Sequence, residues 1–136
     1  MFVHKTNLRV RYAETDKMGV VYHGNYIQYF EVGRVEYMRE VGIVYADLEN
    51  QGIGMPVVNI DIDYILPVAY DEVLTIETWV ESLPTSKIVF YNRALNESGK
   101  VVCRAKVSLV FINSNFRPVK SPKAVLDALR CVQVKD

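Results

Sequence analysis

The sequence predicts an α+β fold, a five-stranded antiparallel β-sheet wrapped around a long central α-helix. Three observations lead there. One long stretch, Asn25 to about Val41, carries apolar residues at helical spacing: Tyr26, Phe30, Gly33, Tyr37 and Val41 form one stripe, and Ile27, Val35 and Met38 widen it. Five shorter stretches alternate apolar and polar residues, as half-buried strands do. Four of these strands follow one another through short connections, which favours antiparallel pairing. A helix apolar over so much of its surface has to be covered, and the sheet is the only element large enough to cover it.

Taken in order, Lys5 to Tyr12 reads as the first strand, with Leu8, Val10 and Tyr12 on one side and Arg9 and Arg11 on the other. The long helix follows. Gly33 inside it costs about 1 kcal/mol against Ala, which implies close approach of a strand or another backbone. Gly42 fits a C-terminal cap. A short helix is expected over Val44 to Asn50, ending at Gln51-Gly52. The second strand runs Val58 to Leu66, with Asn59, Asp61 and Asp63 between the apolar positions. The third sets Leu74, Ile76, Thr78 and Val80 against Val73, Thr75, Glu77, Trp79 and Glu81. The fourth spans Lys87 to Leu95 and leaves through Asn96-Glu97-Ser98-Gly99, a hairpin loop with Gly at its end. The fifth puts Val101, Cys103, Ala105, Val107, Leu109 and Phe111 on one face and Arg104, Lys106 and Ser108 on the other. Ser121-Pro122-Lys123 opens a terminal helix, with Ser as N-cap and Pro at the first position.

The whole chain, residues 1–136, reads as a single domain with one core, and a 50% hydrophobic content argues against disorder. Lys plus Arg equals Asp plus Glu at 16 each, which gives a nucleic-acid partner no electrostatic support and fits burial of surface in an oligomer. The two cysteines, Cys103 and Cys131, form neither a metal spacing nor a disulfide framework. Cys103 is expected to pack in the core. With no signal-peptide pattern at the start and no apolar run of about 18 residues, the expectation is a cytoplasmic protein without a membrane span.

The stretch Tyr12 to Tyr26 lies between a strand and a buried helix start. The start of a helix offers unpaired N–H groups and positive potential, so a carboxylate held nearby could act on a polarised carbonyl. Asp16 is the acid in that place. The bland alternative is an ordinary turn or capping Asp. His23 stands beside the helix start, where its main-chain N–H can donate to a carbonyl oxygen. Gly24 permits close backbone approach, Asn25 can cap the helix, and Tyr22, Tyr26, Tyr29 and Phe30 can line a pocket or fill the core. Glu14 and Lys17, flanking Asp16, are expected to be exposed, and Glu31 and Arg34 to form an i,i+3 pair. No Gly-rich phosphate loop, Ser nucleophile elbow or metal motif is present.

The pattern Asp16, Gly19, His23, Gly24, Asn25, Tyr26, continuing into Phe30, Glu31 and Arg34, resembles the signature of the hotdog-fold acyl-CoA thioesterases. It is similar to the 4-hydroxybenzoyl-CoA thioesterase family, and within it to the His-containing branch associated with the Tol–Pal system. The hotdog fold agrees with the architecture read from the strands and helix. The resemblance implies hydrolysis of an acyl-CoA thioester to a carboxylic acid and CoA, with no cofactor and no metal. It implies Asp16 as general base or nucleophile, His23 as the oxyanion contact, and Thr85-Ser86-Lys87, with Arg93 as a further cation, near the nucleotide part of CoA. It also implies a homodimer or homotetramer with sites at subunit interfaces, for which the Val58 to Leu66 strand could pair with its symmetry mate. An acyl carrier protein could replace CoA. The competing readings are a non-catalytic acyl-CoA or acyl-carrier binding module and another enzyme on this fold, such as a dehydratase. The dehydratase needs a His elsewhere, and only His4 is left to supply it.

Overall fold

The computed structural model of the protein describes residues 1–132, 134 and 135. In chain order the elements are β1 (His4–Arg9), α1 (Asn25–Glu40), α2 (Tyr45–Asn50), β2 (Val57–Tyr64), β3 (Val73–Trp79), β4 (Lys87–Leu95), β5 (Val101–Val110) and α3 (Lys123–Cys131). The strands form one antiparallel sheet in the order β1-β3-β4-β5-β2, so β1 and β2 are its edges. Among the described residues no helix is long and apolar enough to cross a membrane.

The predicted stripe of α1 lies on the sheet. Tyr26, Phe30, Gly33 and Tyr37 are buried, as are Leu74 and Ile76 of β3, Ile88 and Phe90 of β4, and Cys103 and Val107 of β5. The Tyr37 and Phe90 rings meet edge to face at 5.8 Å, a favoured aromatic geometry. Gly33 explains how the helix lies so close. A Cβ built there would stand 2.5 Å from Thr78 Oγ1 and 2.7 Å from Ile76 Cγ2, both on β3. Burial pushes the Cys103 thiol up to about 12, so it sits in the core as an unreactive small apolar group.

Several expectations need correction. β1 stops at Arg9, because Val10 turns its N–H to Glu72 and Tyr12–Glu14 winds into a 3-10 turn. β2 ends at Tyr64, not at Leu66. Ile27 and Val35 do not widen the covered face of α1; they stay exposed within one chain. Ser121 does not cap α3. Its hydroxyl donates to the Pro122 carbonyl, and Pro122 itself holds the cap position. Glu77 points to the outer face of the sheet as the alternation predicts, yet it is buried there by ion pairs to Arg93 and, at 3.5 Å, to Lys5. Arg93 also lies over the Trp79 ring at 4.9 Å, so it is already engaged by its own chain.

Candidate active site

The segment between β1 and α1 is a hairpin anchored by main-chain bonds. Thr15 bridges Val21, Asp16 N–H donates to Val20 O, and Tyr22 N–H donates to Glu14 O. Its returning limb is fixed to the β2–β3 connection by Val21 N–H to Val68 O and by the Val20–Ala69 bridge. Val21 and Val68 are both buried, so apolar contact backs these bonds. At the tip the chain reverses from Asp16 to Gly19, whose φ of +81° is the left-handed region that glycine enters without a Cβ penalty.

Asp16 is half-buried at this tip. One carboxylate oxygen, Oδ1, accepts the Met18 N–H at 2.8 Å in an Asx turn. Among the described residues Oδ2 has no partner, so the turn role occupies one oxygen and leaves the other available. The carboxylate borders a hollow of about 570 Å³, whose walls include Tyr12, Thr15, Lys17 and Tyr70. Tyr12 and Tyr70 meet edge to face at 5.7 Å.

α1 begins one turn beyond the hairpin. Asn25 N–H bonds Tyr22 O, and Tyr26 N–H bonds His23 O. The N–H groups of His23 and Gly24 have no acceptor among the described residues, and both sit at the positive end of a 16-residue helix. The His23 side chain is exposed, 4.3 Å from the Tyr22 ring and 6.0 Å from the Tyr64 ring, centroid to centroid. Its carbonyl accepts the Tyr64 hydroxyl at 3.1 Å, which ties the end of β2 to the helix start. Gly24 has ordinary right-handed angles. A Cβ there would lie 2.8 Å from the ring of the exposed Tyr22, so a larger residue would have to push that ring aside.

Asp16, Tyr22, His23, Gly24 and Asn25 thus share one hairpin and helix start, although no hydrogen bond joins Asp16 to His23 among the described residues. Thr85, Ser86 and Lys87 lie elsewhere. They open β4, whose far end is at the helix start, and 9 residues of strand separate the two levels by about 26 Å. Their carbonyls are occupied structurally: Thr85 O accepts Ser121 N–H and Ser86 O accepts Phe111 N–H. Asn25 does not cap α1. Its Nδ2 donates to Glu14 O at 2.7 Å, and Gly24 holds the cap position.

Glu14 is the largest departure from expectation. It is not a solvated flank. One oxygen accepts the Arg11 N–H at 2.8 Å and the Tyr29 hydroxyl at 2.9 Å, while Arg11 forks onto the other at 3.1 and 3.0 Å. Glu14 therefore clamps the Asp16-bearing hairpin to the first turns of α1. Burial pushes its carboxyl upward, but the Arg11 N–H, the Tyr29 hydroxyl and the Arg11 guanidinium outweigh that and hold it below the usual range. A depressed folded pKa adds stability that is present above the ordinary carboxylate pKa of about 4.3 and is lost as pH falls through the lower folded value. Glu14→Gln is expected to cost about 1 kcal/mol at pH 7, with the gap to wild type closing in acid. Chemical denaturation at several pH values reads this; a gap that widens in acid would refute the sign.

Comparison with known proteins agrees with this architecture. A family model described as the thioesterase-like superfamily matches residues 10–129. A Bacillus subtilis (strain 168) protein named "Putative acyl-CoA thioesterase YneP" is 38% identical over 128 residues, 93% of each chain. The Haemophilus influenzae "Acyl-CoA thioesterase YbgC" is 32% identical over 87% of this chain and 88% of its own. The crystal structure of a DHNA-CoA thioesterase from Staphylococcus aureus superposes with a TM-score of 0.91 at 36% identity, covering 98% of this chain and 92% of that one. With its helix wrapped by a five-stranded antiparallel sheet and its acid-bearing hairpin at the helix start, the chain belongs to the thioesterase-like superfamily of hotdog-fold proteins.

Proposed function

We propose that the protein hydrolyses an acyl-CoA thioester to a free carboxylic acid and CoA. The observation that carries this reading is the pair of unpartnered N–H groups, His23 and Gly24, at the start of α1, with the free oxygen of Asp16 on the same hairpin. The N–H groups polarise the thioester carbonyl and take up the negative charge of the tetrahedral intermediate. Asp16 either removes a proton from the attacking water or attacks the carbonyl carbon itself to give a mixed anhydride that water then opens. The C–S bond breaks in both routes, and the thiolate leaves as CoA and takes up a proton. The names of the relatives support the same substrate class.

The active form is a homodimer or homotetramer in the cytoplasm. Free thiols at Cys103 and Cys131 fit a reducing compartment. Thr85, Ser86 and Lys87 stand at the far end of their own sheet, away from the reacting carbonyl, a place suited to the nucleotide end of CoA or to presentation by a second chain. A dehydratase is disfavoured by His4, which lies at the start of β1, away from the Asp16 end.

A thiol-release assay across a panel of acyl-CoA and acyl-carrier substrates tests the reading. Binding without thiol release would replace it with the binding-module alternative. His23→Ala is expected to lower turnover by less than the roughly 3 kcal/mol that loss of an oxyanion donor costs, because its N–H survives truncation. An inactive but folded His23→Ala protein would make the imidazole essential.

A further inference from the structure

β2 ends on Tyr64, a residue that touches the start of α1 without lining the hollow beside Asp16. Tyr64 is held in register opposite Cys103 of β5. Its ring meets Tyr26 at 5.9 Å and His23 at 6.0 Å, both edge to face. From there the hydroxyl donates to the His23 carbonyl at 3.1 Å. Burial, and then the neighbouring Cys103 and Tyr22, push this phenol above its ordinary pKa of 10.0, so it remains a protonated donor at neutral pH.

What that bond holds is a peptide plane. The His23 carbonyl and the Gly24 N–H belong to one trans peptide unit, so they point in opposite directions and turn together. Fixing the oxygen therefore aims the N–H. Local restraint on this plane is weak. The Tyr26 N–H reaches the same oxygen at 3.3 Å, a long bond. Gly24, lacking a Cβ, tolerates rotations of the plane that another residue would resist. The Tyr64 hydroxyl supplies the missing restraint from a strand 41 residues away. A donor on the carbonyl also polarises the amide, which strengthens its N–H.

We propose that Tyr64 is a positioning residue for hydrolysis: its hydroxyl holds the His23–Gly24 peptide so that the Gly24 N–H faces the thioester oxygen. The proposal rests on the thioesterase reading of this site and adds to it a side chain from another element, which acts through His23 and not on substrate.

Tyr64→Phe keeps the ring and removes the bond. Tyr64 is exposed, so the variant is expected to fold with a melting temperature near wild type. Its kcat is expected to fall about 3- to 10-fold, the range that one neutral hydrogen bond covers. KM should stay near wild type, because the aimed N–H acts on charge that develops in the transition state. The pH profile should keep its shape, because the phenol transfers no proton. The carbonyl carbon resonance of His23 reads the bond independently of hydrolysis, and it should move when the donor leaves. A wild-type protein that releases no thiol overturns the functional reading, and the proposal falls with it. Hydrolysis by Tyr64→Phe at the rate of an active wild type overturns the proposal alone. So does an unmoved His23 resonance, a loss confined to KM, or a fall in rate matched by a fall in melting temperature. An alkaline limb that shifts with the substitution would make Tyr64 a proton donor and overturn the positioning role.

Discussion

Asp16→Asn is expected to lower the hydrolysis rate by at least about 10²-fold, the low end of what a positioned acid or base supplies. The substitution isolates charge from shape. Asn keeps an Oδ1 that can accept the Met18 N–H, so the Asx turn and the Gly19 reversal survive. It loses the carboxylate that would take a proton from water or form an anhydride. Substrate affinity and melting temperature should stay near wild type, because the lost group faces the hollow rather than the core. A folded Asp16→Asn protein that hydrolyses at the wild-type rate would sink the assignment. Unchanged turnover at saturation with weakened binding would move Asp16 to a binding role. Single-turnover hydrolysis in heavy-oxygen water then separates the two chemical routes: label in Asp16 marks an anhydride, and label only in the product marks direct attack by water.

Gly33→Ala is expected to destabilise the fold, although helix propensity alone predicts a gain of about 1 kcal/mol. The new methyl group would sit 2.5 Å from Thr78 Oγ1 and 2.7 Å from Ile76 Cγ2, inside the range where something must shift. Neither neighbour yields easily. Thr78 is fully buried and accepts the Asn92 side-chain N–H at 2.8 Å, and Ile76 is fully buried in the core. Relief requires lifting α1 off the sheet, an overpacking cost of about 1–3 kcal/mol. Gly33→Val should cost more. Equilibrium unfolding in urea measures both, and a stabilised Gly33→Ala protein would show that the helix can move freely.

Most of the architecture was legible because it is periodic. β4 fell on Lys87–Leu95 and α1 began at Asn25, as the alternation and the helical spacing predicted. The close approach at Gly33 was readable as a propensity cost needing a reason. The failures have a different physical origin. Tyr12 continues the alternation of β1, but the Val10–Glu72 and Arg11–Glu14 bonds bend the chain before it arrives. Exposure of Ile27 and Val35 could not be told from burial, since a helical stripe records that a face is apolar and not which chain covers it. Within the candidate site, the grouping of Asp16, His23 and Gly24 was legible because they flank a recognisable helix start. Glu14 was missed because its value comes from Tyr29, 15 residues on, and Tyr64 because it reaches His23 across 41 residues. Such contacts leave no local signal.

The strand order has a consequence for the time course of folding. β3, β4 and β5 are joined by short turns and pair as neighbours, so they can form a meander from contacts close in sequence. β1 and β2 cannot. β1 closes onto β3 with His4 opposite Thr78, and β2 onto β5 with Val57 opposite Leu109, so each must first bear the entropy of a long loop. The hairpin carrying Asp16 joins β1 to α1, and Tyr64 at the end of β2 fastens to His23. Both attachments therefore rest on the least local pairings of the sheet. The Asp16 hairpin and the Tyr64–His23 tie thus depend on the two edge strands, and fraying at either margin is expected to loosen the start of α1 before the central meander opens.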